Sequence, residues 1–241
     1  MKLFNLFKIL TLSVFIFLIF TLNVNCMESS KIILIDPGHG GIDGGAVSSS
    51  NTLEKDLNLQ ISLKLREVLE CSGYKVFMTR ETDSCLSNSE NVKQNKREDL
   101  SKRCKMKRDV GCDVFISIHM NKFPDSSAKG SQVWYPIYSE KSKKLALNMH
   151  NHFKQTLNQN NNRQPKGVKN DYVILRDGYE GASIIVECGF ISNNEEELKL
   201  KSEEYQYELC NAMALAINDY FSGGNLNWFL SLREKYNQII L

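Results

Sequence analysis

The chain has 241 residues, with 30 Lys and Arg against 28 Asp and Glu and a formal charge of +2. That length permits one large domain or two small ones, and the 42% hydrophobic and 10% aromatic content excludes a disordered chain. The Gly count of 14 and Pro count of 4 exclude collagen-like or low-complexity architecture, and the near-neutral charge argues against nucleic acid as a partner.

Lys2 and Lys8 precede an apolar run from Ile9 to Val24, the pattern of a secretory signal. The run falls short of the roughly 20 residues of a spanning helix. Residues 1–26 therefore read as a signal peptide or as an uncleaved signal anchor that tethers the chain to a membrane. Asn25 is a poor neighbour for lipid attachment at Cys26, so that cysteine reads as incidental. In either case the chain is expected to be exported and to work outside the cytoplasm, secreted or anchored. Cys71, Cys85, Cys104, Cys112, Cys188 and Cys210 form no C-x-x-C unit and are expected to be mostly free thiols.

Residues 31–221 read as one α/β domain. Lys31–Asp36 is a continuous apolar run suited to a strand buried on both faces. Glu54–Ser72 has helical period, with Leu57, Ile61, Leu65, Val68 and Leu69 on one face and Gly73 as the stop signal. Tyr74–Thr79 is a strand, Lys96–Val110 a charged helix, and Asp113–Ile118 and Ser131–Tyr135 are strands. Ser139–Leu157 is a helix with Leu145, Met149, Phe153 and Leu157 inward; His150 and His152 flank that stripe and read as solvated. The Asn- and Gln-rich stretch 158–170 reads as a loop, Tyr172–Leu175 as a short strand, and Ser183–Glu187 as a buried strand. Asn193 caps a short helix, with Glu196 placed for a capping box, and a last helix runs from Glu203 to Phe221. Strands alternating with helices predict a mostly parallel sheet covered by helices on both faces. In the tail, residues 222–241, Leu226, Phe229, Leu232, Tyr236 and Ile240 share a helical face beside Trp228. That amphipathic helix either packs on the domain or docks a partner protein or membrane.

In an open parallel sheet, ligands bind beyond the carboxyl ends of the strands. His39 follows the first strand, His119 the third, and Glu187 ends a later one; Glu54 opens the first helix, whose N-terminus faces the same edge. Two His and a Glu are a standard shell for catalytic zinc, and a second carboxylate can serve as proton acceptor. Taken singly, each residue has a plainer reading: a hydrogen-bonded loop histidine, half of a buried ion pair at Glu187, a helix-start charge at Glu54. Their convergence favours the metal site. Gly38-His39-Gly40-Gly41 lacks both phosphate-loop patterns, which argues against phosphate binding there. Arg176 is the cation nearest the site edge and reads either as a holder of a substrate carboxylate or as half of a surface salt bridge.

The blocks IDPGHGGIDGGA (35–46), LEKDLNLQISLKL (53–65), GYKVFMTRETD (73–83), DVFISIHMN (113–121), GVKNDYVILR (167–176) and IIVECGFISN (185–194) resemble the zinc-dependent N-acetylmuramoyl-L-alanine amidases of the amidase-3 family, in the family's order. The resemblance implies one zinc ion held by His39, Glu54 and His119, with Glu187 as the catalytic carboxylate. It implies peptidoglycan as substrate, cut at the amide joining the muramic acid lactyl group to L-alanine. Ala182, Asn194 and Lys166 depart from common family residues without touching a ligand. A signal followed by a bare catalytic domain looks like the germination-specific, spore-cortex branch, whose products lead to muramic-δ-lactam; a vegetative autolysin or cell-separation amidase is the alternative. A zinc peptidase and a non-catalytic wall-binding module are the readings from other classes.

Overall fold

A computed structural model describes residues 30–223. The expected signal or anchor at 1–26 and the amphipathic tail from Leu226 lie outside the described residues, and among the described residues no helix is long and apolar enough to cross a membrane.

Strand β1 (Ile32–Pro37) forms because its run of branched apolar residues can be buried on both sides: Ile33, Leu34 and Ile35 are all fully buried. It sits inside a six-stranded sheet with β2 (Lys75–Met78), β3 (Val114–Asn121), β4 (Gln132–Pro136), β5 (Lys166–Val168) and β6 (Ala182–Phe190), in the order β2-β1-β3-β6-β4-β5. The pairs β1–β2, β1–β3, β3–β6 and β4–β5 are parallel, and β4 runs antiparallel to β6. The α/β reading with a mostly parallel sheet therefore holds.

Four helices cover one face: α1 (Glu54–Cys71), α3 (Glu140–Thr156), α4 (Asn194–Lys201) and α5 (Glu203–Ser222). Ile61, Leu65, Met149, Phe153 and Met213 of these helices meet Ile33, Ile35 and Ile116 of the sheet. The other face is thinner. There α2 (Val92–Val110) and a 3₁₀ turn (Val173–Leu175) cover Leu34, Phe115 and Ile185. All six cysteines of the described residues carry free thiols.

Several boundaries differ from expectation for physical reasons. Helix α2 starts at Val92 rather than Lys96, because the Asn91 side chain accepts the Gln94 N–H and caps it there. Strands β3 and β6 run on past the expected Ile118 and Glu187, with His119 paired to Glu187 and Asn121 to Phe190 across a register shift. Lys166–Val168, expected in a loop, adds to the sheet beside Trp134–Pro136. Asn193 caps α4 as expected, but Glu196 does not close the box: its carboxylate accepts from the backbone N–H groups of Phe190 and Gly130. His150, read as solvated, is buried on α3 where α5 packs against it, and burial holds its pKa below the ordinary value. His152, read likewise, is only partly exposed and contacts Asp219 of α5 through Nε2 at 2.8 Å.

Tyr172–Leu175 is not a strand. Leu175 N–H donates to Tyr172 O, and the buried Lys107 ammonium of α2 donates to Ile174 O and pairs with Asp177 at 3.0 Å. The ammonium also lies 4.4 Å from the centroid of the Phe115 ring. One buried cation thus ties the turn to α2 and lies against the sheet at Phe115. Lys107→Met leaves Asp177 and the Ile174 carbonyl without their principal donor. Chemical denaturation should show a loss of about 3 kcal/mol, the low end for breaking a buried pair because Arg108 remains near Asp177.

Candidate metal centre

The carboxyl ends of β1 and β3 and the N-terminus of α1 meet at one point. The ligand atoms of His39, Glu54 and His119 all lie within 4.8 Å of one another. Glu54 is the hub: His39 Nε2 is 3.2 Å from Oε2 and His119 Nδ1 is 3.0 Å from Oε1. The same two oxygens accept backbone N–H bonds, Oε2 from Ala46 at 2.7 Å and Oε1 from Met120 at 3.1 Å. Burial would raise the Glu54 pKa, but the contacts from His119 and His39 outweigh it and hold the carboxyl far below the ordinary range.

The far side of the His39 ring is also fixed. Its Nδ1 lies 2.9 Å from Asp43 Oδ2, which leaves Nε2 turned toward Glu54. Burial lowers the His39 pKa, yet Asp43 and Glu54 together raise it to about 9. The His39 backbone has φ +60, a conformation rarely adopted outside glycine, and two cations beneath the loop hold it. Arg103 donates to the carbonyls of Pro37 at 2.8 Å and His39 at 2.7 Å; Arg80 donates to those of Pro37 at 2.9 Å and Gly38 at 3.0 Å. Arg103 also pairs with buried Asp36, which accepts from Thr79 and Ser117. The segment between His39 and Glu54 is fastened at its middle, where Ser48, Ser50 and Thr52 hydroxyls all donate to Glu197 Oε1 of α4.

Glu187 stands apart from this triad. It is the cross-strand neighbour of His119 but makes no hydrogen bond through its buried Oε2. Burial pushes its pKa up to about 7, with Glu54 adding to the rise and the two histidines opposing it. Arg176 is not drawn in. It is exposed, its Nη1 donates to Asn170 O, and the adjacent Asp177 pairs with Lys107 in the last turn of α2. Sequence reasoning missed Asp43, Arg80, Arg103 and Asp36. Asp43 carried a legible signal, lying four residues after His39 in the same Gly-rich loop.

The donor set fits a divalent metal such as zinc: two imidazoles and one carboxylate, with an unpartnered carboxylate oxygen beside them. His39, Glu54 and His119 thus form a candidate metal triad.

The family model described as N-acetylmuramoyl-L-alanine amidase (Amidase_3) matches residues 33–219. The germination-specific N-acetylmuramoyl-L-alanine amidase of Bacillus subtilis (strain 168) is 34% identical over 196 residues, 80% of this chain and 81% of that protein. Among solved structures, the CwlD amidase from Clostridioides difficile, in complex with the GerS lipoprotein, superposes with a TM-score of 0.77 at 39% identity, covering 80% of this chain and 99% of that one. The N-acetylmuramoyl-L-alanine amidase from Clostridium difficile 630 gives 0.70 at 28% identity, covering 82% and 100%. The chain belongs to the Amidase_3 family of N-acetylmuramoyl-L-alanine amidases. Its activity is accordingly that of a peptidoglycan amidase, and its likeness runs to the germination-specific, CwlD-type members.

Gly38 tests how closely the triad is built. A Cβ there would fall 2.3 Å from Cε1 of the His119 ring. Gly38→Ala should leave the melting transition cooperative but displace that ring and weaken metal binding at least tenfold in a competitive chelator titration.

Proposed function

We propose that this chain cuts the amide between the lactyl group of N-acetylmuramic acid and L-alanine, using zinc held by His39, Glu54 and His119. The observation that carries the reading is Glu187: a buried, unpartnered carboxylate beside a His/Glu/His set, with its pKa poised near 7. Zinc in such a set supplies Lewis acidity, acidifying water and polarising a carbonyl. Glu187 takes a proton from the attacking water and returns it to the leaving L-alanine nitrogen. Asp43 keeps His39 in the tautomer that presents Nε2. The Ala46 and Met120 N–H groups keep the Glu54 carboxylate aimed.

The likeness to a germination-specific enzyme supports a place in spore-cortex maturation, with muramic-δ-lactam as the downstream product. Export outside the cytoplasm, through residues 1–26, is part of the same proposal. So is a partner protein, since the CwlD relative was solved with a lipoprotein bound. Mass spectrometry of peptidoglycan treated with the chain, with and without zinc, tests the reaction. A freed lactyl carboxylate supports it, and new termini inside the peptide would point to a peptidase.

The two carboxylates should separate cleanly under substitution. Glu187→Gln should retain zinc and lose about 10²–10⁴ in single-turnover rate, the usual share of general acid–base catalysis. Glu54→Gln should lose zinc itself. Metal content and cleavage measured on both variants decide the assignment, and the reverse pattern would exchange their roles.

A further inference from the structure

A groove of about 550 Å³ runs beside α2, away from the triad. Its cationic wall is Lys93, Lys96, Arg97 and, from the facing turn, Arg176. Its floor is apolar, formed by Leu100, Cys104 and Val173. The acid that lines it, Asp177, is already paired with Lys107 and Arg108. Among the described residues neither Lys93 nor Arg97 has an acidic partner, in a chain whose net charge is only +2. Like charges collected along a groove without counter-charges repel one another and raise the local potential for an anion.

The groove also has a direction. Lys96 Nζ lies 3.4 Å from Asp43 Oδ2, the carboxylate that holds His39, so one wall residue of the groove reaches the surroundings of the triad. From Lys93 to Cys104 the helix advances about three turns, roughly 16 Å. An extended peptide of about five residues spans that distance.

We infer that this groove is the subsite for the peptide side of the substrate, gripping an extended acidic peptide by its carboxylates. The inference rests on the amidase reading above. Lys93 and Arg97 bind side-chain or terminal carboxylates, while Leu100 and Val173 receive the aliphatic parts between them. Lys96 is shared between the groove and Asp43, and Arg176 closes the distal end. The amide end of the peptide is thereby laid at the triad, and specificity for an acidic peptide comes from α2 rather than from the metal ligands.

The test is a charge reversal, Lys93→Glu with Arg97→Glu, at two exposed positions whose substitution should leave the melting temperature unchanged. Two muramyl peptides serve as substrates, one with free peptide carboxylates and one with the same carboxylates amidated. Wild type should show a KM at least fivefold lower for the free acid, and the variant should erase that difference with kcat unchanged. An equal KM for both substrates in the wild type, or a variant that still discriminates, overturns the groove. Fluorescence anisotropy of the labelled acidic peptide alone gives a readout independent of turnover. Binding that weakens with salt and is lost in the variant supports the inference; absence of binding to the wild type defeats it. If the peptide binds through Lys93 and Arg97 but no lactyl amide is cut, the amidase reading fails while the groove stands.

Discussion

The buried pair of Arg103 with Asp36 underlies the rest of the site. Arg103 is 2% exposed and Asp36 1%, so neither charge is relieved by water. Burial alone would raise the Asp36 pKa, but Arg103, Ser117 and Thr79 outweigh it and keep the carboxyl ionised. The pair joins α2 to the end of β1. The guanidinium's remaining donors reach the carbonyls of Pro37 and His39. A candidate metal ligand in a left-handed backbone conformation is thereby held by a buried ion pair.

Two carboxylates at the same edge have been pushed in opposite directions. Glu54 receives two backbone N–H groups and two imidazole contacts, and its pKa is held far below the ordinary range. Glu187, one strand away, receives no bond at Oε2 and is raised toward neutrality by burial. Identical side chains separated in this way suit one to hold charge and the other to move a proton.

Much of this was legible in the chain. The apolar runs of β1 and β3, the period of α1 and the placement of His39, His119, Glu54 and Glu187 at one edge could all be read from pattern. The ends of β3 and β6 could not. A polar residue after an apolar run looks like a terminus, and the continued pairing of His119 with Glu187 depends on the partner strand. Val173–Leu175 has the composition of a strand, yet its conformation is held by a lysine 67 residues earlier in sequence. Arg103 had a faint signature, Asp99 four residues before it on a helix poor in apolar residues. What lay opposite that polar face was a matter of tertiary structure.

The three hydroxyls gathered on Glu197 have a consequence for the order of events. Two of the candidate ligands lie on either side of Ser48, Ser50 and Thr52, and the clasp ties that span to α4. The span loses its conformational freedom when the polypeptide folds, before any ion arrives. A divalent ion taken up by His39, Glu54 and His119 would fill a rigid socket rather than order a loop around itself. Its affinity would then reflect the donor atoms with little entropy spent on ordering the chain, and its loss and replacement would leave the fold unchanged.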